Sequence, residues 1–273
     1  MGESGCGKSS LGRAMLGLVP AVFDEGRLFG TDLAAATRPT WKTLRRRAQM
    51  VFQDVGGALS PRMRIGDAVT EPLVVHGLLN GRASRADEAT KLLGEVGLDA
   101  DLARRFPHEL SGGQRQRALI ARALASAPDL LIADEPIASL DISVQTQILE
   151  LLDRERRDRS LAMVLISHDI RAVAAVCASV LVMYAGVAVE EGPADEVFAQ
   201  PAHPYTKFLC DSIPLLTPRA EDATATEADA SWPGTGCPFA PRCHAAGEDC
   251  AAALPAWRKT GDGRRCRCVR PLA

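Results

Sequence analysis

The chain has 273 residues, of which 47% are hydrophobic and 24% are charged, and these are ordinary proportions for a globular protein of one large domain or two smaller ones. Its formal net charge of −2 gives no indication of nucleic-acid binding. Lys8 and Arg13 interrupt the amino-terminal region, so we expect no signal peptide there.

The first motif is GESGCGKS at residues 2–9, which fits the phosphate-loop pattern G-x-x-x-x-G-K-[S/T] at every fixed position. Glycines let backbone N–H groups turn toward a phosphate, and the helix predicted to follow adds the positive end of its dipole. Lys8 can reach the β- and γ-phosphates of a nucleotide, and the Ser9 hydroxyl can ligate Mg²⁺. The predicted nucleotide-binding residues of this loop are Gly2, Glu3, Ser4, Gly5, Cys6, Gly7, Lys8, Ser9 and Ser10.

Helical and strand-like stretches alternate after the loop. Helices are predicted at 9–19, 40–47, 111–128 and 143–159 and over most of 66–105, and strands near 26–33, 49–53, 129–136 and 161–169. This alternation indicates an α/β fold with a mainly parallel sheet.

Two later stretches have a different character. Residues 172–189 carry no charge and approach the length of a membrane-spanning helix. Ser179 and Gly186 interrupt this run, so we predict two short strands around a turn instead. Residues 216–236 are rich in Ala, Thr, Pro and acidic residues without periodicity, which predicts a linker.

The second motif is the apolar strand LLIA, which ends in Asp134 and Glu135. Ligands bind at the carboxyl ends of strands in parallel sheets, so both carboxylates are expected at such an edge. Asp134 can hold Mg²⁺ through water, and Glu135 can polarise an attacking water as a general base. Acidic residues after a strand are often only a solvated turn, but the phosphate loop in the same chain favours the chemical role.

The third motif is LSGGQRQR at residues 110–117. Ser111, Gly112 and Gly113 open a predicted helix and therefore form a second phosphate-binding helix start. One chain seldom needs two such sites for one nucleotide, whereas two chains could each contribute one. The alternative is a simple helix cap by Ser111.

These motifs together resemble the ATP-binding subunits of ABC transporters, and more narrowly those of the oligopeptide/dipeptide importer type. The resemblance runs from Gly2 to about Arg270. It rests on the phosphate loop, VFQD with Gln53, LSPRMRI, FPHELSGGQRQR, LLIADEP, SLD at 139–141, ISHD with His168, PAHPYTKFL and GCPFAPRC.

The resemblance implies a P-loop NTPase (ABC ATPase) fold with a mainly parallel sheet, an inserted helical subdomain at about 55–125 and a Cys-rich C-terminal extension. We expect an ABC ATPase domain at 1–198 and a peptide-importer-type extension at 199–273. The family has strands ahead of the loop and an aromatic residue that stacks on adenine. Since neither precedes Gly2, we expect an N-terminally truncated chain or a misassigned start at Met1.

The resemblance also implies roles for single residues. Gln53 would contact Mg²⁺ and the attacking water and sense the membrane partner. Ser111 and Gly113 would bind the γ-phosphate of the ATP held by the opposite subunit. Asp141 would lie at the dimer seam, and His168 would hold the γ-phosphate.

The implied function is ATP hydrolysis, with ATP and Mg²⁺, that powers import of peptides or related solutes. The implied partners are a second ATPase subunit, two transmembrane permease subunits and, indirectly, an extracellular or periplasmic solute-binding protein, with no nucleic acid. The implied location is peripheral, on the cytoplasmic face of the cell membrane. The alternatives are an inactive truncated fragment and a soluble ABC ATPase that acts on nucleic acid or the ribosome.

Five of the eight cysteines crowd the last part of the chain. Their spacing is too wide for a zinc-finger knuckle. The resemblance implies that Cys237, Cys243, Cys250 and Cys268 are ligands of an iron–sulfur cluster, with Cys268 fitting the fourth position better than Cys266. Four thiolates suit a 4Fe–4S cluster or zinc. The alternative is a set of reduced thiols without a metal.

Overall fold

The computed structural model describes residues 1–79, 82–212, 232 and 234–272. The chain divides into two compact units. We call Ser9–Ile166 the central unit, and we call Met1–Lys8 together with Ser167–Ala273 the carboxy-terminal unit. Most of the predicted linker at 216–236 lies outside the described residues.

Helices and strands alternate along most of the chain up to Ile166, as the sequence predicts. The helices in this part are α1 (Lys8–Met15), α2 (Arg38–Arg47), α3 (Val55–Ala58), α4 (Ile65–Val75), α5 (Arg82–Glu95), α6 (Gly112–Leu124) and α7 (Ile142–Asp158). The strands are β1 (Arg27–Leu28), β2 (Thr31–Asp32), β3 (Ala48–Val51), β4 (Leu130–Asp134) and β5 (Ala162–Ile166).

A parallel sheet of order β3-β4-β5 forms the centre of the central unit. Every residue of β4 is buried, which explains why its sequence is a continuous apolar run rather than an alternating one. Gly12 lets α1 approach the sheet, because a Cβ atom there would lie 2.9 Å from Cδ1 of Ile166. Asp134 is the last residue of β4 and therefore lies at the carboxyl end of the middle strand.

Helices α4, α5 and α6 pack against one another within the central unit. Ile65, Val69, Leu93 and Ile120 are fully buried among them. The predicted helical stretch at 66–105 is confirmed as α4, α5 and a short 3₁₀ helix at Ala100–Arg104. The wider helical subdomain at about 55–125 stays a prediction.

The carboxy-terminal unit contains an antiparallel sheet of four strands, of order β6-β7-β9-β8. Its strands are β6 (Ser179–Tyr184), β7 (Val187–Pro193), β8 (Arg258–Gly261) and β9 (Arg264–Cys266). Its helices are α8 (Ile170–Val176), α9 (Ala194–Ala199), α10 (Pro204–Asp211) and α11 (Glu248–Ala252). The predicted domain boundary after residue 198 stays a prediction; β7 and β9, which lie on either side of it, are paired.

The predicted strands and turn in the uncharged run at 172–189 are confirmed as the hairpin β6–β7, which continues to Pro193, whereas the first residues of the run belong to α8. Ala185 and Gly186 connect β6 and β7 with φ angles of 46° and 82°, which is the geometry of a tight hairpin turn. No helix among the described residues is long and apolar enough to cross a membrane.

A buried carboxylate holds this unit together. Glu190 on β7 is fully buried and accepts hydrogen bonds from the N–H groups of Ala202 and His203, both at 2.9 Å. Its Oε1 also lies 3.4 Å from the Arg264 guanidinium on β9. A buried charge is tolerated when it is paired and hydrogen-bonded in this way.

Candidate functional site

The phosphate loop at Gly2–Lys8 lies in the carboxy-terminal unit. Gly5 and Gly7 have φ angles of 79° and 93°, which glycine adopts without strain. At Gly2 a Cβ atom would lie 2.1 Å from the backbone oxygen of Met183, so no larger residue fits there. The glycines of the motif are therefore required by the close packing of the loop and by its backbone conformation.

Lys8 is 7% exposed and closes the loop from within. Its Nζ donates to the backbone oxygens of Gly2 at 2.7 Å and Glu3 at 2.8 Å. These two hydrogen bonds fix the ammonium group against the backbone of the glycine-rich loop.

Ser9 and Asp134 meet within the central unit. The Ser9 hydroxyl donates to Oδ1 of Asp134 at 2.7 Å, and Asp134 is fully buried. Its Oδ2 is buried and has no hydrogen-bond partner among the described residues. A buried carboxylate oxygen without a partner is costly, whereas a hydroxyl beside a carboxylate is a donor set that Mg²⁺ prefers. These two residues therefore fit a magnesium ion.

Glu135 follows β4 in a left-handed backbone conformation, with a φ angle of 48°. Its N–H donates to the backbone oxygen of Ile166 at 2.9 Å, and the residue is 7% exposed. A non-glycine residue in this region stores about 1–3 kcal/mol of strain, and such strain clusters at functional sites.

Gln53 and His168 both follow strands of the parallel sheet. Gln53 is exposed two residues after β3, where Asp54 caps α3 by accepting the N–H of Gly57 at 3.0 Å. His168 is exposed two residues after β5, within the carboxy-terminal unit. Both stand at positions where strands of such sheets carry ligand-binding residues.

The third motif begins α6 in the central unit. Ser111 is the exposed N-cap, and its hydroxyl accepts the N–H of Gln114 while the Gln114 side chain accepts the Ser111 N–H. Gly112 and Gly113 lie close to the start of α7, since a Cβ atom at Gly113 would lie 2.8 Å from Cγ1 of Val144. The helix start is stabilised by its own capping box and remains open to solvent.

Asp141 belongs to the same region of the central unit. It is the exposed N-cap residue of α7, and its side chain makes no capping hydrogen bond. The next residue, Ile142, is 82% exposed. We call Ser111, Gly112, Gly113, Asp141 and Ile142 the signature surface.

The four predicted ligand cysteines surround one cavity in the carboxy-terminal unit. Cys237, Cys243, Cys250 and Cys268 line it. Cys266 is fully buried beside Ala202 and Cys268, and it is not one of the lining residues. The cavity has a volume of about 10 Å³, the space of roughly one water molecule. Among the described residues, no three His, Cys, Asp or Glu side chains form a ready-made metal site.

Burial shifts the pKa of some groups in and beside this cavity. It raises the pKa of two lining thiols, Cys237 and Cys268, and it raises that of the neighbouring Cys266 to about 11. His203 also lines the cavity, and burial lowers its pKa to about 4. Thiols in such surroundings stay protonated until a cation binds.

The sequence matches two families. The family described as ABC transporter matches residues 1–138, and the C-terminal region of oligopeptide/dipeptide transporters matches residues 189–250. The chain belongs to the ABC transporter family. The predicted P-loop NTPase fold with a parallel sheet is thereby confirmed.

Curated relatives cover nearly the whole ABC chain. A Brucella abortus (strain 2308) protein, provisionally named a peptide import ATP-binding protein, is 46% identical over 268 residues, or 96% of this chain and 79% of that protein. The oligopeptide transport ATP-binding protein OppF of Salmonella typhimurium is 41% identical over 261 residues, or 93% of this chain and 78% of OppF.

A solved structure is also similar. It is a dimer of the ATP-binding cassette MJ0796 in a post-hydrolysis state, bound to ADP and Pi. The TM-score is 0.62 at 28% identity, over 71% of this chain and 83% of that one.

Sequence reasoning missed two side chains that contact the phosphate loop of this ABC chain, and a third side chain that contacts one of them. Arg242 donates to the Glu3 carboxylate, and Tyr205 accepts the Glu3 N–H. Tyr184 accepts a hydrogen bond from Arg242 at 3.3 Å. Arg242 and Tyr205 stand in the GCPFAPRC and PAHPYTKFL runs, which signalled the importer branch but gave no indication of a contact with Glu3.

Proposed function

We propose that this chain is the ATP-hydrolysing subunit of an ABC importer for peptides or related solutes. The observation that carries the proposal is the contact between Ser9, the last residue of a complete phosphate-loop motif, and the fully buried Asp134, whose unpaired Oδ2 suits Mg²⁺. Peptide import is supported by the importer-type C-terminal match and by the relatives named above.

The proposed roles follow the chemistry of phosphoryl transfer, which needs positioning and charge stabilisation. The backbone of the phosphate loop and Lys8 bind the phosphates of ATP. Ser9, Asp134 and Gln53 hold Mg²⁺, which neutralises charge on the phosphate oxygens when it is bound. Glu135 accepts a proton from the attacking water.

His168 is proposed to hold the γ-phosphate. Its exposed position after β5 leaves the imidazole accessible to a ligand. The imidazole N–H is a suitable hydrogen-bond donor to a phosphate oxygen. In this role His168 orients the phosphate and takes no part in the proton transfer assigned to Glu135.

The signature surface is proposed to complete the site of a second ATPase subunit. Ser111 and Gly113 offer a hydroxyl and backbone N–H groups at an open helix start, which favours an anion such as a γ-phosphate. Asp141 lies at the seam between the two subunits. The solved MJ0796 cassette is a dimer, which supports this arrangement.

The remaining partners are proposed because the chain belongs to the ABC transporter family. They are two transmembrane permease subunits and, indirectly, an extracellular or periplasmic solute-binding protein. The chain would act peripherally on the cytoplasmic face of the cell membrane. The second ATPase subunit is either a copy of this chain or a homologue.

The cysteine cavity is proposed to hold a 4Fe–4S cluster or zinc. Four thiols around one space form a donor set that suits either group. The small cavity requires the sulfurs to move when the group binds. The chain's own contribution is to bury this group in an apolar surround that limits the access of water.

The fourth ligand is tested by two matched substitutions. Cys268→Ala should lower bound iron or zinc, because Cys268 lines the cavity. Cys266→Ala should leave the metal content unchanged, because Cys266 lies outside the cavity lining. Metal analysis after anaerobic purification distinguishes them. A wild-type protein free of iron and zinc would contradict the proposal.

The proposed activity is tested by Glu135→Gln. Loss of the general base should lower ATP turnover at least about 100-fold while ATP binding persists. Turnover is measured with the permease and second ATPase subunits present. Equal turnover by wild type and variant would contradict the assignment of Glu135, and a wild-type chain that neither binds nor hydrolyses ATP would contradict the function.

A further inference from the structure

Glu3, the second residue of the phosphate motif, connects the loop to distant parts of the carboxy-terminal unit. Its N–H donates to the Tyr205 hydroxyl at 2.8 Å. Its carboxylate accepts two hydrogen bonds from Arg242, at 2.9 Å and 3.1 Å. Its backbone oxygen accepts from Lys8 at 2.8 Å. The phosphate-binding lysine and the two distant side chains therefore share one partner residue.

Arg242 is fixed in a way that isolated surface arginines are not. Its guanidinium lies 4.9 Å from the ring centroid of Phe208 and 5.8 Å from those of Tyr184 and Phe239. The side chains of Arg242 and Glu3 are 21% and 32% exposed. The hydrogen bonds to Glu3 raise the pKa of Arg242 above its ordinary value. A two-pronged, partly buried pair held by aromatic rings is geometrically specific and stronger than an exposed one.

The same short segments also line the cysteine cavity. Arg242 directly precedes Cys243, and Cys243 and Phe239 both line the cavity. His203, another lining residue, accepts the N–H of Tyr205 at 3.1 Å. The groups that hold Glu3 are therefore neighbours of the cavity walls.

We propose that Arg242 and Tyr205 are positioning residues for the phosphate loop. Nucleotide affinity then depends on the hydrogen bonds that these two side chains make with Glu3. The proposal rests on the proposed function of the loop as the phosphate site. A loop that is already in its binding conformation loses less freedom when it binds a ligand. Release of Glu3 should therefore weaken nucleotide binding more than it slows the chemical step, which uses other residues.

The experiment measures the dissociation constant of adenylyl imidodiphosphate with Mg²⁺, in the full chain. Arg242→Met should weaken binding about tenfold, within the range of coupling between contacting residues. Arg242→Lys keeps the charge and should restore part of the affinity. In the assembled ATPase, KM for ATP should rise while kcat changes less than twofold.

The chain offers a matched control in Arg265. This residue also pairs with a glutamate, Glu191 at 2.6 Å, and also lies over an aromatic ring, Trp257 at 4.6 Å. Arg265 is more exposed than Arg242, at 49% against 21%, and its pair lies outside the loop contacts described above. Arg265→Met should change the dissociation constant less than twofold.

A double-mutant cycle gives the decisive comparison. Glu3→Gln alone should weaken binding severalfold, and adding Arg242→Met should cost little more, because the pair is already broken. If Arg242→Met fails to fold by circular dichroism, Glu3→Gln decides the outcome on its own. Wild-type affinity in Glu3→Gln, or fully additive effects in the cycle, would overturn the inference.

Failure of the proposed function has a different signature. In that case wild type and Lys8→Ala would bind the analogue equally weakly. If wild type binds and Lys8→Ala does not, the function stands, and unchanged affinity in Arg242→Met then rejects only the positioning role.

Discussion

The chain contains two glycine-rich helix starts with opposite surroundings. The phosphate loop has a buried lysine, glycines with positive φ and contacts to Tyr205 and Arg242. The helix start at Ser111 is exposed and depends on its own capping box. A loop fixed by contacts within its own unit suits a ligand held by its own chain, whereas an open helix start suits a ligand brought by another chain. The difference supports assigning them to two different nucleotides.

The largest expected effect comes from the tightest point of the loop. Gly2→Ala places a methyl group against the Met183 oxygen, so we expect about 3 kcal/mol of destabilisation and loss of nucleotide binding. Gly5→Ala is the matched control, because a Cβ atom there meets nothing within 4 Å and only the backbone conformation is strained. Its expected cost is about 1 kcal/mol. Chemical denaturation and analogue titration measure both variants, and equal costs would contradict the role of packing at Gly2.

A smaller effect is expected where the loop runs into its helix. Ser9→Ala removes the hydroxyl that donates to Asp134, and with it one of the proposed Mg²⁺ ligands. Nucleotide binding in EDTA should stay unchanged, while the gain in affinity on adding Mg²⁺ should shrink about tenfold. Titrations with and without Mg²⁺ test this. An undiminished Mg²⁺ effect would remove Ser9 from the metal site.

The smallest effect is expected at the open helix start. Ser111→Ala removes the cap to the Gln114 N–H and should lower the free energy of unfolding by about 1 kcal/mol. Nucleotide binding by the isolated chain should not change. Thermal unfolding and analogue titration of the same sample provide the check, and a loss of affinity would place Ser111 in its own chain's site.

Local patterns predicted most elements of the central unit, but they predicted long-range contacts and the end of the chain poorly. The hairpin that begins within 172–189 followed from Gly186, and the buried strand β4 followed from its apolar run, whereas α8, β8 and β9 were not predicted. In the antiparallel sheet of the carboxy-terminal unit, Glu190 pairs with Cys266. These residues are 76 positions apart in the sequence, so no local pattern predicts their pairing.

The candidate site shows the same division. The sequence predicted that Lys8, Ser9 and Asp134 bind the phosphates and the Mg²⁺ of one nucleotide, and the motifs alone were enough for that prediction. The left-handed backbone of Glu135 and the Glu3–Arg242 pair, with its separation of 239 residues, arise only when the chain is folded.

The most direct test compares nucleotide binding by two variants of the isolated chain, Ser111→Arg and Lys8→Ala. We expect Ser111→Arg to bind adenylyl imidodiphosphate like wild type, because its helix start is proposed to serve another subunit. We expect Lys8→Ala to bind at least about 100-fold more weakly, because the proposed contact of a buried charge with the phosphates is lost. Equal loss of binding in both variants would contradict the assignment of the two helix starts to different nucleotides and place both in one site.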